Sequence, residues 1–168
     1  MADQENNIIY REVQRWGVRF RCFLLVLLVL TAVVCILATA NEIVRGSART
    51  GSILLALIGG VLVPLGVAYL IWVNRLETEV RRDGLLIRYF PFHRRFRRFK
   101  AQDLSECQAR RYRPILEYGG WGIRWSWRGR AYNVSGNEGV QLVFKNGKRL
   151  LIGSAKSHEL EAAIRSIV

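Results

Sequence analysis

The chain's 168 residues leave room for one domain and a little more, and 26 Lys and Arg against 13 Asp and Glu give it a net charge of +13. Two histidines and three cysteines, none at metal-ligand or CxxC spacing, argue against a zinc centre or a disulfide-stapled scaffold. Hydrophobic residues make up 51% of the sequence, an ordinary fraction, but many are gathered into two long runs.

The N-terminal arm, residues 1–18, contains "IIYREVQRWG". Its apolar residues Ile9, Val13 and Trp16 recur at helical spacing, which predicts an amphipathic helix lying at a membrane interface. From Cys22 to Ala40 nineteen residues carry no charge, and from Ser52 to Asn74 there are twenty-three more. A bilayer core about 30 Å thick needs roughly 20 apolar residues in a helix. A membrane α-helical hairpin is therefore expected over residues 19–74, with spans at about 20–40 and 52–74. A rival reading of the first run as a signal peptide draws on the basic residues before it and on "ATA" at Ala38–Ala40. Against it stand the acidic Asp3, Glu5 and Glu12 and a run longer than the usual 7–15 or so residues.

Arginine placement sets the expected orientation. Arg11, Arg15, Arg19 and Arg21 precede the first span, the loop holds Arg45 and Arg49, and Arg75, Arg81 and Arg82 open a long basic stretch after the second. Both termini are thus expected in the cytoplasm, for a chain integral to the inner membrane of a prokaryote. Trp16, Phe20, Tyr69 and Trp72 would share one leaflet's headgroup depth. In the second span Ala56 and Gly60 form a small-xxx-small pair, with Gly59 and Gly66 nearby, which suits packing against the first helix or self-association into a homo-oligomer. Pro64 removes a backbone donor and is expected to kink this helix. Cys22, Cys35 and Cys107 read as small apolar fillers in a reduced setting.

From Arg75 the texture changes. "LETEVRRDGLLIRYF" reads as two strands around an Asp83-Gly84 turn. "RRFRRFK", "LSECQARRY", "GIRWSWRGRAYNV" and "GVQLVFKNGKRLLIG", with its Asn146-Gly147 turn, supply further strands. "SHELEAAIRSIV" repeats Leu160, Ala163, Ile164 and Ile167 at helical spacing behind Ser157 as a cap, which predicts a C-terminal amphipathic helix. The expectation is an α+β soluble domain over 75–168, about seven short strands closed by one helix.

That order of elements resembles a pleckstrin-homology-type fold, a seven-stranded antiparallel β-barrel or sandwich capped by a C-terminal helix. The residues that carry the resemblance are "YGGWGIR" (Tyr118–Arg124), "AYNVSGNEGVQLVF" (Ala131–Phe144) and "GKRLLIGS" (Gly147–Ser154). With two preceding spans, the chain resembles small bacterial or archaeal two-helix membrane proteins bearing a bacterial PH-like domain. The resemblance implies a fold and no catalytic or cofactor residues. Its "RRDGLL" turn has Arg81 and Arg82 but not the long basic loop that serves inositide binding in eukaryotic relatives.

No convergent acid, base, nucleophile or metal set stands out, so an enzyme is not expected and no cofactor or metal is assigned. "YGGWGIR" and "NGKRL" lack the Lys-Ser/Thr that a P-loop needs; Trp121 is expected to pack over the barrel. Residues 75–168 hold 20 Lys and Arg against nine Asp and Glu, a surplus that attracts phosphate. The densest part is "FPFHRRFRRFK". Two strands of about seven residues at roughly 3.3 Å each carry the chain some 25 Å out from the second span and back, so this turn is expected beside the bilayer. Phe90, Phe92, Arg94, Arg95, Arg97, Arg98 and Lys100 are the candidate membrane- or anion-binding residues; a solvated strand face is the plain alternative. Phe96 and Phe99 have opposite parity, which calls for a bulge or short turn with one of them in the core. Trp125 and Trp127, two apart, suit the core or lipid-facing side of a strand, although bases could stack there. The functional expectation is a non-catalytic membrane protein whose basic cytoplasmic domain binds anionic headgroups or a protein partner. The alternatives are an accessory subunit of a larger membrane complex and a membrane-tethered nucleic-acid binder, the latter unfavoured.

Overall fold

The computed structural model of the protein describes residues 7–46 and 50–168. It divides into a helical unit, Trp16–Val73, and a strand unit drawn from the chain on either side, Met1–Arg15 with Asn74–Val168.

In the helical unit α1 runs over Val18–Val44. The second helix is built from α2 (Thr50–Leu57), a π turn (Ile58–Leu62) and α3 (Val63–Val73). Val18–Val44 and Ile53–Val73 are each long and apolar enough to cross a membrane, with mean hydropathies of 3.0 and 2.4. Neither α1 nor α3 buries a residue, unlike the core helices of a soluble protein. Thr31 and Thr39 turn their hydroxyls back to the carbonyls of Leu27 and Cys35, both at 2.8 Å, so neither presents an unpaired donor. The disturbance expected at Pro64 takes the form of the π turn just before it, since proline cannot donate to the carbonyl four residues back. At the other end of the pair the Arg21 guanidinium lies 5.3 Å over the Trp72 ring, and Trp16 stacks on Phe20 at 4.6 Å, the antiparallel arrangement the aromatic residues suggested.

Among the described residues the strand unit holds nine strands. β1 (Ile8–Arg15), β2 (Arg75–Arg81), β3 (Gly84–Phe90) and β4 (Arg97–Lys100) form an antiparallel sheet in that order. β5 (Leu104–Arg111), β6 (Gly122–Ser126), β7 (Gly129–Asn133), β8 (Glu138–Phe144) and β9 (Arg149–Gly153) form a second, ordered β5-β8-β9-β7-β6. A short helix α4 (Pro114–Tyr118) follows β5, and α5 (Ser157–Arg165) ends the fold. Leu76, Val80, Leu85, Ile87, Tyr132, Leu142, Leu151, Leu160 and Ile164 are fully buried between these layers. The last helix packs on β5 and β8 and also reaches β1 and β2.

Three expectations need correction. Residues 8–15 form no interfacial helix: they are a strand paired with β2 from Ile8↔Arg81 to Arg15↔Arg75, so the arm belongs to the strand unit. The helical spacing of Ile9 and Val13 misled because it coincides with alternation, which puts Ile9, Arg11 and Val13 on one face. The seven antiparallel strands become, among the described residues, nine in two sheets, the first antiparallel and the second mixed, that do not close into a barrel, and β7 runs parallel to β9. Ser157 is the first residue of α5 rather than its cap, a position held by Lys156. The two turns appear as expected: Arg82-Asp83 leads into Gly84, and Lys145-Asn146 into Gly147.

Candidate functional site

The candidate site is the outward face of the first sheet together with the turn that follows β3. Antiparallel partners share a face. Glu77 lies beside Val13 and Arg88, Glu79 beside Arg11 and Leu86, and Arg75 beside Arg15 and Phe90. On the opposite face Leu76, Thr78 and Val80 enter the core with Leu85, Ile87 and Tyr89. Both glutamates are almost wholly covered, their side chains 5% exposed. Glu77 takes hydrogen bonds from Arg75 Nε at 2.6 Å and Arg88 Nη2 at 2.5 Å; Glu79 takes one from Arg81 Nη2 at 2.6 Å and faces Arg11 Nε at 3.5 Å. Two of these arginines also lie over rings, Arg88 4.5 Å from the Phe96 centroid and Arg75 4.8 Å from that of Phe90. Buried carboxylates thus hold a layer of guanidinium groups flat against the sheet, and the arginines outnumber them.

The basic stretch is divided by this geometry. β4 pairs Ile87↔Arg97, Leu86↔Arg98 and Gly84↔Lys100, so Arg98 and Lys100 share the outward face. Arg97 lies on the core side, where it donates to the Tyr132 hydroxyl at 3.3 Å. Arg98 is ion-paired with Asp83. Phe90 ends β3, and Pro91–Phe96 form the turn, with a cis bond between Phe90 and Pro91. Phe92 is 64% exposed, while Arg94 and Arg95 are exposed without an ion-pair partner among the described residues. The parity conflict resolves as a turn: Phe96 lies under Arg88, and Phe99 packs on Phe144 with centroids 5.6 Å apart.

His93 closes the turn through its backbone N–H to the Tyr89 carbonyl at 2.8 Å and sets its ring edge-on to Tyr132. Burial, with the charges of Arg97 and Arg130, lowers its imidazole pKa below the ordinary value. The Tyr89 hydroxyl bridges Asn74 at 3.2 Å and the Asn133 carbonyl at 3.4 Å, and burial raises its pKa.

Of the candidate packing residues, Gly60 is buried: a Cβ there would lie 2.6 Å from Cys35 Cβ on α1 and closer still to its Sγ. Ala56 borders an apolar groove of about 250 Å³ with Thr39 and Ile43. Gly59 and Gly66 have open space where a side chain would go. The small residues thus divide between contact within the chain and free helix surface.

Sequence reasoning passed over two groups and left the place of a third open. Glu12 on β1 accepts from Ser154 Oγ at 2.6 Å, Tyr10 Oη at 2.8 Å, the Ala155 N–H at 2.9 Å and Gln14 Nε2 at 3.1 Å, which ties the arm to the loop before α5. Nothing local in "YREVQ" announces this. Glu117 on α4 accepts from Arg110 at 2.8 Å, Arg128 at 3.1 Å and the Arg113 N–H at 2.8 Å. Burial alone would raise its pKa, but the Arg110 and Arg113 hydrogen bonds and the two guanidinium charges outweigh that and hold it below the usual range. Finally, Trp125 and Trp127 belong to no core: they are 66% and 83% exposed, with Trp127 in the β6–β7 turn. Trp121, expected over the core, donates to the Gly136 carbonyl at 2.9 Å. Among the described residues no group of three His, Cys, Asp or Glu could hold a metal ion.

No curated protein matches the sequence. Residues 1–168 match one family along their whole length, and the chain belongs to it: the family of unknown function DUF6141.

Proposed function

We propose that this chain is a non-catalytic integral membrane protein, anchored in a prokaryotic inner membrane by its two apolar helices with both termini in the cytoplasm. Its strand unit docks on the anionic headgroups of that membrane through the Phe90–Arg95 turn. The observation that carries this reading is the row Arg15–Arg75–Phe90, three neighbouring residues at one end of the first sheet. The chain leaves the strand unit just after Arg15, since α1 begins at Val18, and returns just before Arg75, since α3 ends at Val73. Adjacent strands lie about 4.8 Å apart, so the turn starts roughly 10 Å from where the chain departs. Tethers this short reach only a few ångströms, and helices fixed in a bilayer would keep this end of the sheet near it. There the exposed Phe92 ring suits the interface, and Arg94 and Arg95 would each contribute about 1 kcal/mol against an anionic leaflet. The excess of arginine on both outer flanks over the loop supports the orientation. A PH-like ancestry of the strand unit accords with its terminal helix, and the docking reading does not depend on it.

The test uses the full chain in bilayer discs with a nitroxide at Phe92→Cys and the native cysteines replaced by alanine. The label is expected to become shielded from a water-soluble relaxant in discs rich in phosphatidylglycerol but not in zwitterionic ones, and Arg94→Glu with Arg95→Glu should remove the shielding. Equal accessibility in both lipids sinks the headgroup reading.

A further inference from the structure

We propose that the strand unit carries a second ligand site, a groove that takes short single-stranded nucleic acid. The groove, about 1040 Å³, opens where the β6–β7 turn, the β8–β9 turn and the end of β4 meet. Its floor is the Phe99–Phe144 pair. Five cations line it, Arg128, Arg130, Lys145, Lys148 and Arg149, against the single carboxylate of Asp103. Arg128 is shared with Glu117, which fixes its guanidinium 4.5 Å over the Trp127 ring. Arg130 lies 4.5 Å over Trp125 and also donates to the Tyr132 hydroxyl at 3.1 Å. Each indole therefore has a guanidinium over its ring and remains largely exposed.

That combination matches the way proteins hold unpaired strands, with bases stacked on aromatic faces and phosphates met by nearby cations. Two indoles in one groove fit successive bases better than one nucleotide. Residues as exposed as these tryptophans would not be held in water for packing. The protein's own bilayer is a poorer occupant. Gly129, at the groove, and Asn133, which meets Tyr89 at the Phe90 end, lie at opposite ends of β7, about 13 Å apart at 3.3 Å per residue. Gly129 also makes the groove's shape: its φ of 111° and the Arg149 carbonyl beside it leave no room for a side chain.

The test is fluorescence anisotropy of a labelled oligothymidylate of about eight nucleotides with the full chain in zwitterionic bilayer discs. Thymidine monophosphate and phosphatidylglycerol vesicles serve as competitors. The oligonucleotide is expected to bind with log K falling against log salt at a slope near −3, as roughly four neutralised phosphates require. Trp127→Ala should weaken binding by about 5- to 100-fold, and Lys145→Gln with Lys148→Gln should flatten the salt slope. The lysine pair keeps the test alive should the tryptophan variant unfold. An oligonucleotide that does not bind, or binds Trp127→Ala as it binds the parent, overturns the proposal. So does monophosphate competing as well as the oligomer, or vesicles displacing it through the same tryptophans.

Discussion

Removing the Glu12 carboxylate tests whether the chain before the first apolar helix is a structural part of the strand unit. Two of its four hydrogen bonds stay within β1, to Tyr10 and Gln14; the other two cross to Ser154 and Ala155. A hydrogen bond to a charged group contributes about 1.5–3 kcal/mol. Ser154 is buried and merits that range, while Ala155 is exposed and its N–H would find water in the variant. Glu12→Ala should therefore cost about 2–3 kcal/mol after allowance for solvent screening. At about 4–8 °C per kcal/mol for a domain of this size, Tm should fall by roughly 8–24 °C. The assay is thermal unfolding of the full chain in detergent, followed by tryptophan fluorescence. Hydrogen exchange at Arg11 and Val13 reads β1 directly and should accelerate, because the strand lies at the sheet edge and, among the described residues, pairs with β2 alone. Glu12→Gln, which keeps one acceptor oxygen, should fall between. A Tm within about 2 °C of the parent, with unchanged exchange in β1, would refute the reasoning and make the arm a passenger.

Glu77→Ala leaves Arg75 and Arg88 facing each other without their shared carboxylate. Breaking a buried pair costs about 3–5 kcal/mol, and since these arginines are 33% and 27% exposed, a loss of about 2 kcal/mol is expected in denaturant unfolding; a loss below about 0.5 kcal/mol would contradict the buried lattice. Gly60→Ala should loosen the helix pair by about 1–3 kcal/mol, measured by titration from mild into denaturing detergent, whereas Gly59→Ala and Gly66→Ala should leave it unchanged. The double variant with Cys35→Ala, which removes the Sγ but keeps the Cβ 2.6 Å away, should recover only part of the loss, and no recovery at all counts against the Cys35 contact. For pH, His93 is held below its ordinary 6.5, so native and unfolded chains are alike above that value. Below it the unfolded chain takes up a proton that the native one resists, and stability falls; His93→Gln should flatten Tm against pH there. Glu117, held below its ordinary 4.5, adds stability above that value and loses it as pH falls through its native pKa. Glu117→Gln should therefore lower Tm at pH 7 more than at pH 3 or so.

How much could be read in advance follows the range of the forces involved. The two apolar runs, the Asp83-Gly84 and Asn146-Gly147 turns and the α5 periodicity are local signals, and the elements stand where those signals put them. Apart from the one-residue shift at the Ser157 cap, the failures are long-range. β1 pairs with a strand some sixty residues later, across both helices, and no local pattern of Ile9, Val13 and Trp16 distinguishes that edge strand from a helix. The parallel β7–β9 pair depends on a crossover through β8, which neither sequence segment encodes alone. "WSWRGR" reads as a strand with its tryptophans on the core or lipid-facing side; Gly129 lets β7 press on Arg149, and Trp127 falls in the turn, outside the core.

The same contrast explains why the basic stretch has no single role. In "FPFHRRFRRFK" the arginines differ in what holds them. Arg97 is spent on Tyr132 and Arg98 on Asp83, whereas Arg94 and Arg95 sit in a turn beside the exposed Phe92. Two clusters of cations therefore stand at separate ends of the strand unit. One is the Phe90 turn, beside the residues where the chain passes to and from its apolar helices; the other is the tryptophan groove beyond the far end of β7. A uniformly basic surface needs no arrangement to be soluble. Here, however, buried Glu77 and Glu79 fix one set of arginines and half-buried Glu117 another. Covering a carboxylate is costly unless its partners are well placed, so three such sites under one basic surface are better explained by a need to hold guanidinium groups in position than by charge alone. That argument makes the glutamate variants informative about binding as well as stability: Glu117→Gln should weaken oligonucleotide retention by releasing Arg128, while Glu77→Gln should leave it untouched.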